Sequence, residues 1–347
     1  MTDDFLITLF SKQQPRRNRV IFSLLKNQKS VSHLYLGLRY ELLSITGIMP
    51  ELQLPDYEAR LQKFVKAGLL VATEPGIYQL TELGAKAQQT YAEQHYLPQQ
   101  LNTMLNFDIV NFRQGFLLAN QVVSELAYQN KRYYPFQTDL KTMLLVKQWV
   151  KQVNNPNLVG AWYSIIKNWL ETLSAQEADF FVSTWLGHQT PGLALAQLDL
   201  PATWNQLDRR FWELDLYAKW VATLNTTSNS PLKLLWQVLV PKSILPVSAK
   251  KSFDGLLHDQ SVAQLSQALR VKESTIREHW LAAAIWLPVE VFPYAKFLTP
   301  SLTAEFAEQL TGPIDTWEFA TVHKTDDPSE FMYFRLYQIY QSKLGAK

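Results

Sequence analysis

Apolar residues in this chain recur mostly three and four positions apart, the spacing of one face of a helix. The pattern is most specific over residues 261–287. Ser261 followed by Gln264 is a capping-box pair: the hydroxyl accepts the amide of Gln264 while the carboxamide accepts the amide of Ser261. Val262, Leu265 and Leu269 give the helix that starts there a buried face, and Ser266 is small where a partner helix must approach. A turn over 270–272 follows. Arg270 stands where a left-handed conformation favours glycine, and Lys272 stands where Ser or Asp would cap the next helix. Ile276, Trp280, Ala283, Ala284 and Leu287 then predict a second, longer helix from about Glu273 until Pro288 ends it.

The N-terminal region has a different order. After two helical stretches, residues 55–67 place Tyr57, Leu61, Phe64 and Val65 on one side, with Gly68 as the C-terminal cap. The run LLVATEPGIYQLTELG then predicts a strand, a Pro-Gly turn, a second strand and the start of a helix. Helix, strand, turn, strand is the order of a winged helix, with its tip at 74–76. The phrase GLL…YxLTxLG is similar to one in many transcription regulators, which implies the fold and leaves open whether DNA or protein is contacted.

From 91 to 225 the pattern is helical again, as in MLLVKQWV, AWYSIIKNWLETL and ADFFVSTWLG. Ser174 with Glu177 is another capping box, and Gly187 is expected to close that helix. No repeat period is evident. Residues 225–231, NTTSNSP, predict a linker, with Ser230 capping and Pro231 opening the next helix. Further on, Thr299 and Pro300 start a helix, and Pro328 and Glu330 after Asp327 start the last one, which is crowded with aromatic residues. The expected fold is mainly α. It comprises a winged-helix-like module (1–90), a helical domain (91–228) and a C-terminal helix-turn-helix domain with further helices (229–347).

Residues 251–280, through Ser261, Leu265, Thr275, Ile276 and His279, resemble the helix-turn-helix domain that ends some RecQ-type DNA helicases. The same domain ends the YpbB-like proteins of Gram-positive bacteria, which are similar in size to this chain and usually encoded beside such a helicase. The stretch RNRVIFSLLKNQKSVSHLYLGLRYELLSITGIMPEL also resembles the start of those proteins. The two stretches span about a fifth of the chain. The resemblance implies a DNA-binding accessory to a RecQ-type helicase in DNA repair or recombination. Its alternative is a protein-interaction adaptor or transcriptional regulator with no direct helicase role. On the second helix, Lys272, Ser274 and Arg277 are the candidates for DNA contact, with Glu273 and Glu278 beside them opposing phosphate.

Composition narrows the function. Of 347 residues, 47% are hydrophobic and 18% charged, which supplies packed cores. The net charge of +2 gives no global field for nucleic acid, so any basic footprint must be local. One candidate is the first thirty residues, where Lys12, Arg16, Arg17, Arg19, Lys26 and Lys29 face only Asp3 and Asp4. Arg16, Arg17 and Arg19 form its centre, either as a phosphate-contacting arm or as a solvated face. NKRYYPF at 130–136 is either a base-stacking segment or an inter-helix loop pinned by its tyrosines. Asp208, Arg209, Arg210, Glu213 and Asp215 are expected on a mixed, solvated face.

There is no cysteine, which excludes disulfides, thiolate catalysis and cysteine-based metal sites. Phosphate-binding glycine loops, nucleophile elbows and metal-ligand histidine spacings are also absent, so a non-enzymatic protein without cofactor or metal is expected. His279 is expected to be hydrogen-bonded and partly buried. The acidic start and the lack of any run of about twenty apolar residues predict a cytoplasmic protein with no membrane contact.

Overall fold

A computed structural model describes residues 4–28, 30–153, 156–226 and 230–345. Over these the chain is mainly helical, with one small antiparallel sheet. A 3-10 turn (Asp4–Leu9) precedes β1 (Arg16–Arg17), α1 (Asn18–Leu25), α2 (Val31–Arg39), α3 (Leu54–Lys66), β2 (Leu70–Glu74), β3 (Ile77–Leu80) and α4 (Glu82–Gln94). The Ser30 hydroxyl accepts the His33 amide to begin α2, and Pro55 sits in the first turn of α3. Gly68, at φ +70°, turns the chain after the cap of α3, as its position predicted. Gly76, at φ +77°, makes the hairpin turn, and its carbonyl accepts the Asn18 amide at 3.0 Å. Strand order is β1-β3-β2, with Arg16 opposite Tyr78 and Leu70 opposite Leu80. The two-residue β1 carries no period-2 signal long enough to be read from sequence.

The middle of the chain forms α5 (Leu101–Asn106), α6 (Ile109–Ala127), α7 (Leu140–Val153), α8 (Leu158–Leu170), α9 (Ala175–Ser183), α10 (Gln206–Thr226) and α11 (Pro231–Leu239). Ser174 and Glu177 make the expected reciprocal cap of α9. That helix ends at Ser183, however, with Gly187 beyond it in a bridge to Thr190, because the Thr184 hydroxyl takes up the Phe181 carbonyl first. Of the expected linker, residues 227–229 lie outside the described residues; Ser230 accepts the Lys233 amide and Pro231 opens α11 as predicted. The chain closes with α12 (Val247–Leu257), α13 (Val262–Leu269), α14 (Glu273–Trp286), α15 (Pro300–Gln309) and α16 (Pro328–Gly345).

Two compact units result, and they are not consecutive along the chain. One joins Met1–Thr8 to Ala85–Lys242, the other Leu9–Gly84 to Ser243–Lys347. This grouping differs from three domains at 1–90, 91–228 and 229–347. Periodicity shows that a helix has an apolar face, but not which distant face covers it. Thus α11, expected to open the last domain, packs on α6, α7, α8 and α10.

In the first unit, Phe112, Phe116, Trp149, Trp162, Phe181, Trp185, Tyr217 and Trp220 form an aromatic core. Trp220 stacks on both Trp169 and Trp185, with ring centroids 5.7 and 5.8 Å away. The solvated charged face expected on α10 is instead partly interior. Asp208, Glu213 and Asp215 are buried: the two aspartates satisfy donors that would otherwise be stranded, and Glu213 balances the charge of Arg113. Asp208 takes the Asn205 amide at 2.8 Å, His95 Nδ1 at 2.7 Å and the Tyr91 hydroxyl at 3.3 Å. Asp215 takes the Tyr96 hydroxyl at 2.7 Å and the Gln99 and Gln100 amides at 2.5 and 2.9 Å. Glu213 lies 2.8 Å from Arg113 Nε as an ion pair, without the alignment of a hydrogen bond. Residues 130–136 form a loop, but Gln121 pins it by accepting the Phe136 amide and donating to the Tyr134 carbonyl. The Tyr134 ring is itself 95% exposed.

In the second unit α14 is central, packed by α2, α12, α13 and α16. Ile276, Trp280, Leu281, Ala283, Ala284 and Ile285 are buried along it. Trp280 donates to the Ser252 carbonyl at 3.0 Å, and the Tyr294 hydroxyl to the Ala284 carbonyl at 3.2 Å. The N-terminal elements join this core through α2: Arg39 Nε meets Asp315 at 2.7 Å and Arg39 Nη1 donates to the Ser342 hydroxyl. Among the described residues no helix is long and apolar enough to cross a membrane.

Candidate nucleic-acid interface

The turn between α13 and α14 is built by its own side chains. Ser261 and Gln264 form the reciprocal cap that starts α13, and Leu265 packs beneath it. Arg270 adopts φ 55°, ψ 46°, the left-handed conformation its position required. Its amide and that of Val271 return to the Gln267 and Ser266 carbonyls, while the Ser266 hydroxyl donates to the Val271 carbonyl at 2.6 Å. That hydrogen bond accounts for the strain tolerated at a non-glycine residue. Lys272 caps α14 in an extended conformation with no side-chain hydrogen bond, so the first-turn amides of α14 keep no side-chain acceptor.

Of the residues singled out on this face, Lys272 and Ser274 are exposed. Arg277 is not free in the same sense. Its side chain is 15% exposed, with Nη2 held 2.9 Å from Glu273 one turn back. Glu278 is exposed beside it. Arg270, read from sequence only as a turn residue, adds an exposed guanidinium two positions before Lys272. Neither Arg270 nor Lys272 has a carboxylate partner among the described residues. A left-handed turn residue signals backbone geometry, and nothing in the pattern marked its side chain as part of the surface. On the inner side of α14, His279 Nδ1 lies 2.8 Å from the Ser252 hydroxyl. Burial pushes the His279 imidazole below its ordinary value, as a packed, hydrogen-bonded histidine should behave.

The N-terminal cations separate into different roles. Arg16 donates from Nη1 to the Leu9 carbonyl at 2.8 Å and from Nη2 to the Tyr40 carbonyl at 2.9 Å, with its guanidinium 5.5 Å from the Tyr40 ring. Burial pulls its pKa down from the ordinary arginine value. Arg19 pairs with Glu58 at 3.0 Å, Lys12 with Glu82, and Lys26 donates to the Pro50 carbonyl. Lys29 and Asp3 lie outside the described residues. Arg17 is exposed; its backbone pairs with β3 and its amide donates to the Tyr40 hydroxyl at 3.1 Å, while its guanidinium has no hydrogen bond or ion pair among the described residues. Of the three central arginines, Arg17 is therefore the one with an uncommitted side chain.

No family model, curated protein or solved structure matches the chain.

Proposed function

We propose that the chain is a non-enzymatic helix-turn-helix protein that contacts DNA mainly through the phosphate backbone, as an accessory to a RecQ-type helicase. The observation that carries DNA contact is the exposed first turn of α14, where Arg270, Lys272 and Ser274 flank backbone amides with no side-chain acceptor. Such amides and the positive end of a helix favour a phosphate oxygen. The grouping of α1, α2 and α3 with the β2–β3 hairpin supports a winged-helix-like reading of the N-terminal elements, with Arg17 as an exposed cation on β1. The helicase partner rests on the resemblance of residues 251–280 and of the stretch from Arg17 to Leu52.

Few side chains on this face suit base edges, so binding is little dependent on sequence. Its affinity falls in the non-specific range of ~10⁻⁴–10⁻⁶ M at physiological salt. Fluorescence anisotropy on duplex, forked and single-stranded oligonucleotides tests this, and co-purification with the tagged chain tests the helicase. A second reading, an adaptor or transcriptional regulator, draws on the Glu273–Arg277 pair and Glu278, which cancel charge on the same face. Recovery of transcription machinery without a helicase would favour it.

A further inference from the structure

Within the second unit, β1, α2 and the β2–β3 hairpin face residues 314–319 and α16 across an open cleft of about 510 Å³. That volume falls within the ~300–1,000 Å³ of small-ligand sites. Three features set its chemistry. The first is cationic. Arg335 lies with its guanidinium carbon 3.9 Å from the Tyr35 ring and 5.3 Å from the Phe331 ring, and it has no carboxylate partner among the described residues. Arg17 borders the same cleft, exposed and unpaired. Of the two acids on the wall, Asp315 is already occupied by Arg39 at 2.7 Å and by the Gln14 carboxamide at 3.1 Å, and Glu74 stands at the hairpin end. The second is aromatic: Phe319 and Phe331 border the space, and Phe331 is 44% exposed. The third is an unused amide. Gln338 is 3% exposed, and its Oε1 has no hydrogen-bond partner. A buried carboxamide left unpaired is costly, and a ligand that supplies the missing partner relieves it.

We infer that this cleft binds a nucleotide, with the base against the phenylalanine rings and its edge on the Gln338 carboxamide, and the phosphate on Arg335 and Arg17. Ring faces that accept any base, one arginine held against a ring with a second exposed beside it for an oxyanion, and one amide able to pair with a base edge are together the parts of nucleotide recognition. The position of Arg335 over the Tyr35 ring selects arginine over lysine, since a planar guanidinium can pack on a ring, hydrogen-bond to Tyr35 and still keep further N–H groups for a phosphate. Glu74, at the hairpin end of the cleft, faces the same space and opposes the phosphate. The ligand can arrive as a free mononucleotide or as the phosphorylated end of a single strand.

Isothermal titration of the full chain with each deoxynucleoside monophosphate, inorganic phosphate, and a thymidine octamer with or without a 5′-phosphate tests the assignment. The expected result is binding of the mononucleotides or of the phosphorylated octamer with Kd below about 1 mM. Inorganic phosphate alone should bind roughly tenfold more weakly, because it gains no stacking. Arg17→Ala and Phe331→Ala, both at exposed positions, should each weaken binding about tenfold with an unchanged melting temperature, and Glu74→Gln should tighten it. Octamer binding that requires the 5′-phosphate and survives Arg270→Ala/Lys272→Ala, without binding of the mononucleotides, identifies a strand end as the ligand. Arg270 and Lys272 do not border the cleft, so Arg270→Ala/Lys272→Ala leaves this affinity unchanged, and the two proposals fail separately. No binding of any nucleotide, equal binding by wild type and both weakening variants, or capture of an acidic aromatic peptide in place of nucleotides overturns the inference.

Discussion

At the scale of single residues, formal charge was a poor guide to role. Arg16 and Arg17 are neighbours of identical chemistry, yet one guanidinium is spent on the carbonyls of Leu9 and Tyr40 while the other is exposed. Replacing Arg16 by Ala should therefore destabilise the fold by on the order of 2 kcal/mol, through stranded carbonyls, and chemical denaturation reads this directly. The same holds on α10. A helix bearing Asp208, Glu213 and Asp215 looks solvated by composition, but the groups those acids satisfy lie mostly in residues 91–113, more than ninety positions away. Burial pushes the Asp215 carboxyl up, partly offset by the Gln99 amide, the Tyr96 hydroxyl and the Gln100 amide, which draw it down. Asp215→Ala leaves those three donors unpaired and is expected to cost about 3 kcal/mol or more, seen as a lower denaturation midpoint with unchanged helix content.

At the scale of elements, the caps were legible in sequence because they act over three residues. Ser174, Ser230, Ser261 and Thr299 all begin helices where the pattern placed them. The last helix adds a less obvious device. Glu330, in the first turn of α16, accepts the amides of Lys324 and Thr325 at 3.0 and 3.2 Å and the Thr325 hydroxyl at 2.8 Å. These hydrogen bonds, led by the Lys324 amide, hold its carboxyl at about 2. The folded value lies below that of an unfolded glutamate, so the stabilisation is complete above about pH 4.5 and is lost as pH falls through about 2. Glu330→Gln should flatten the acid limb of the stability curve between those values, and thermal melts over pH 5 to 2 would detect it. What the elements did not reveal was the short β1, whose pairing with β3 depends on a hairpin sixty residues later.

For the whole molecule, local periodicity located the helices but could not pair their faces. The apolar side of α2, with Leu34 and Tyr35 buried, is covered by α14 and α16 from the far end of the chain. Residues 9–84 produced alone should therefore fail to fold cooperatively, and co-expression with 243–347 should recover a folded complex, as size-exclusion chromatography with circular dichroism can establish. The proposed DNA-contacting face was legible in part: Lys272 and Ser274 stand exposed as expected, Arg277 is tied to Glu273, and Arg270 was overlooked. The central claim is that Arg270 and Lys272 meet phosphate. The most direct measurement is the dependence of log Kobs on log salt for duplex DNA, compared between the wild-type chain and Arg270→Ala/Lys272→Ala. If each cation releases one counterion, the slope of the double variant should be shallower by about two. Identical slopes for the two proteins, or no binding by the wild-type chain at low salt, would contradict it.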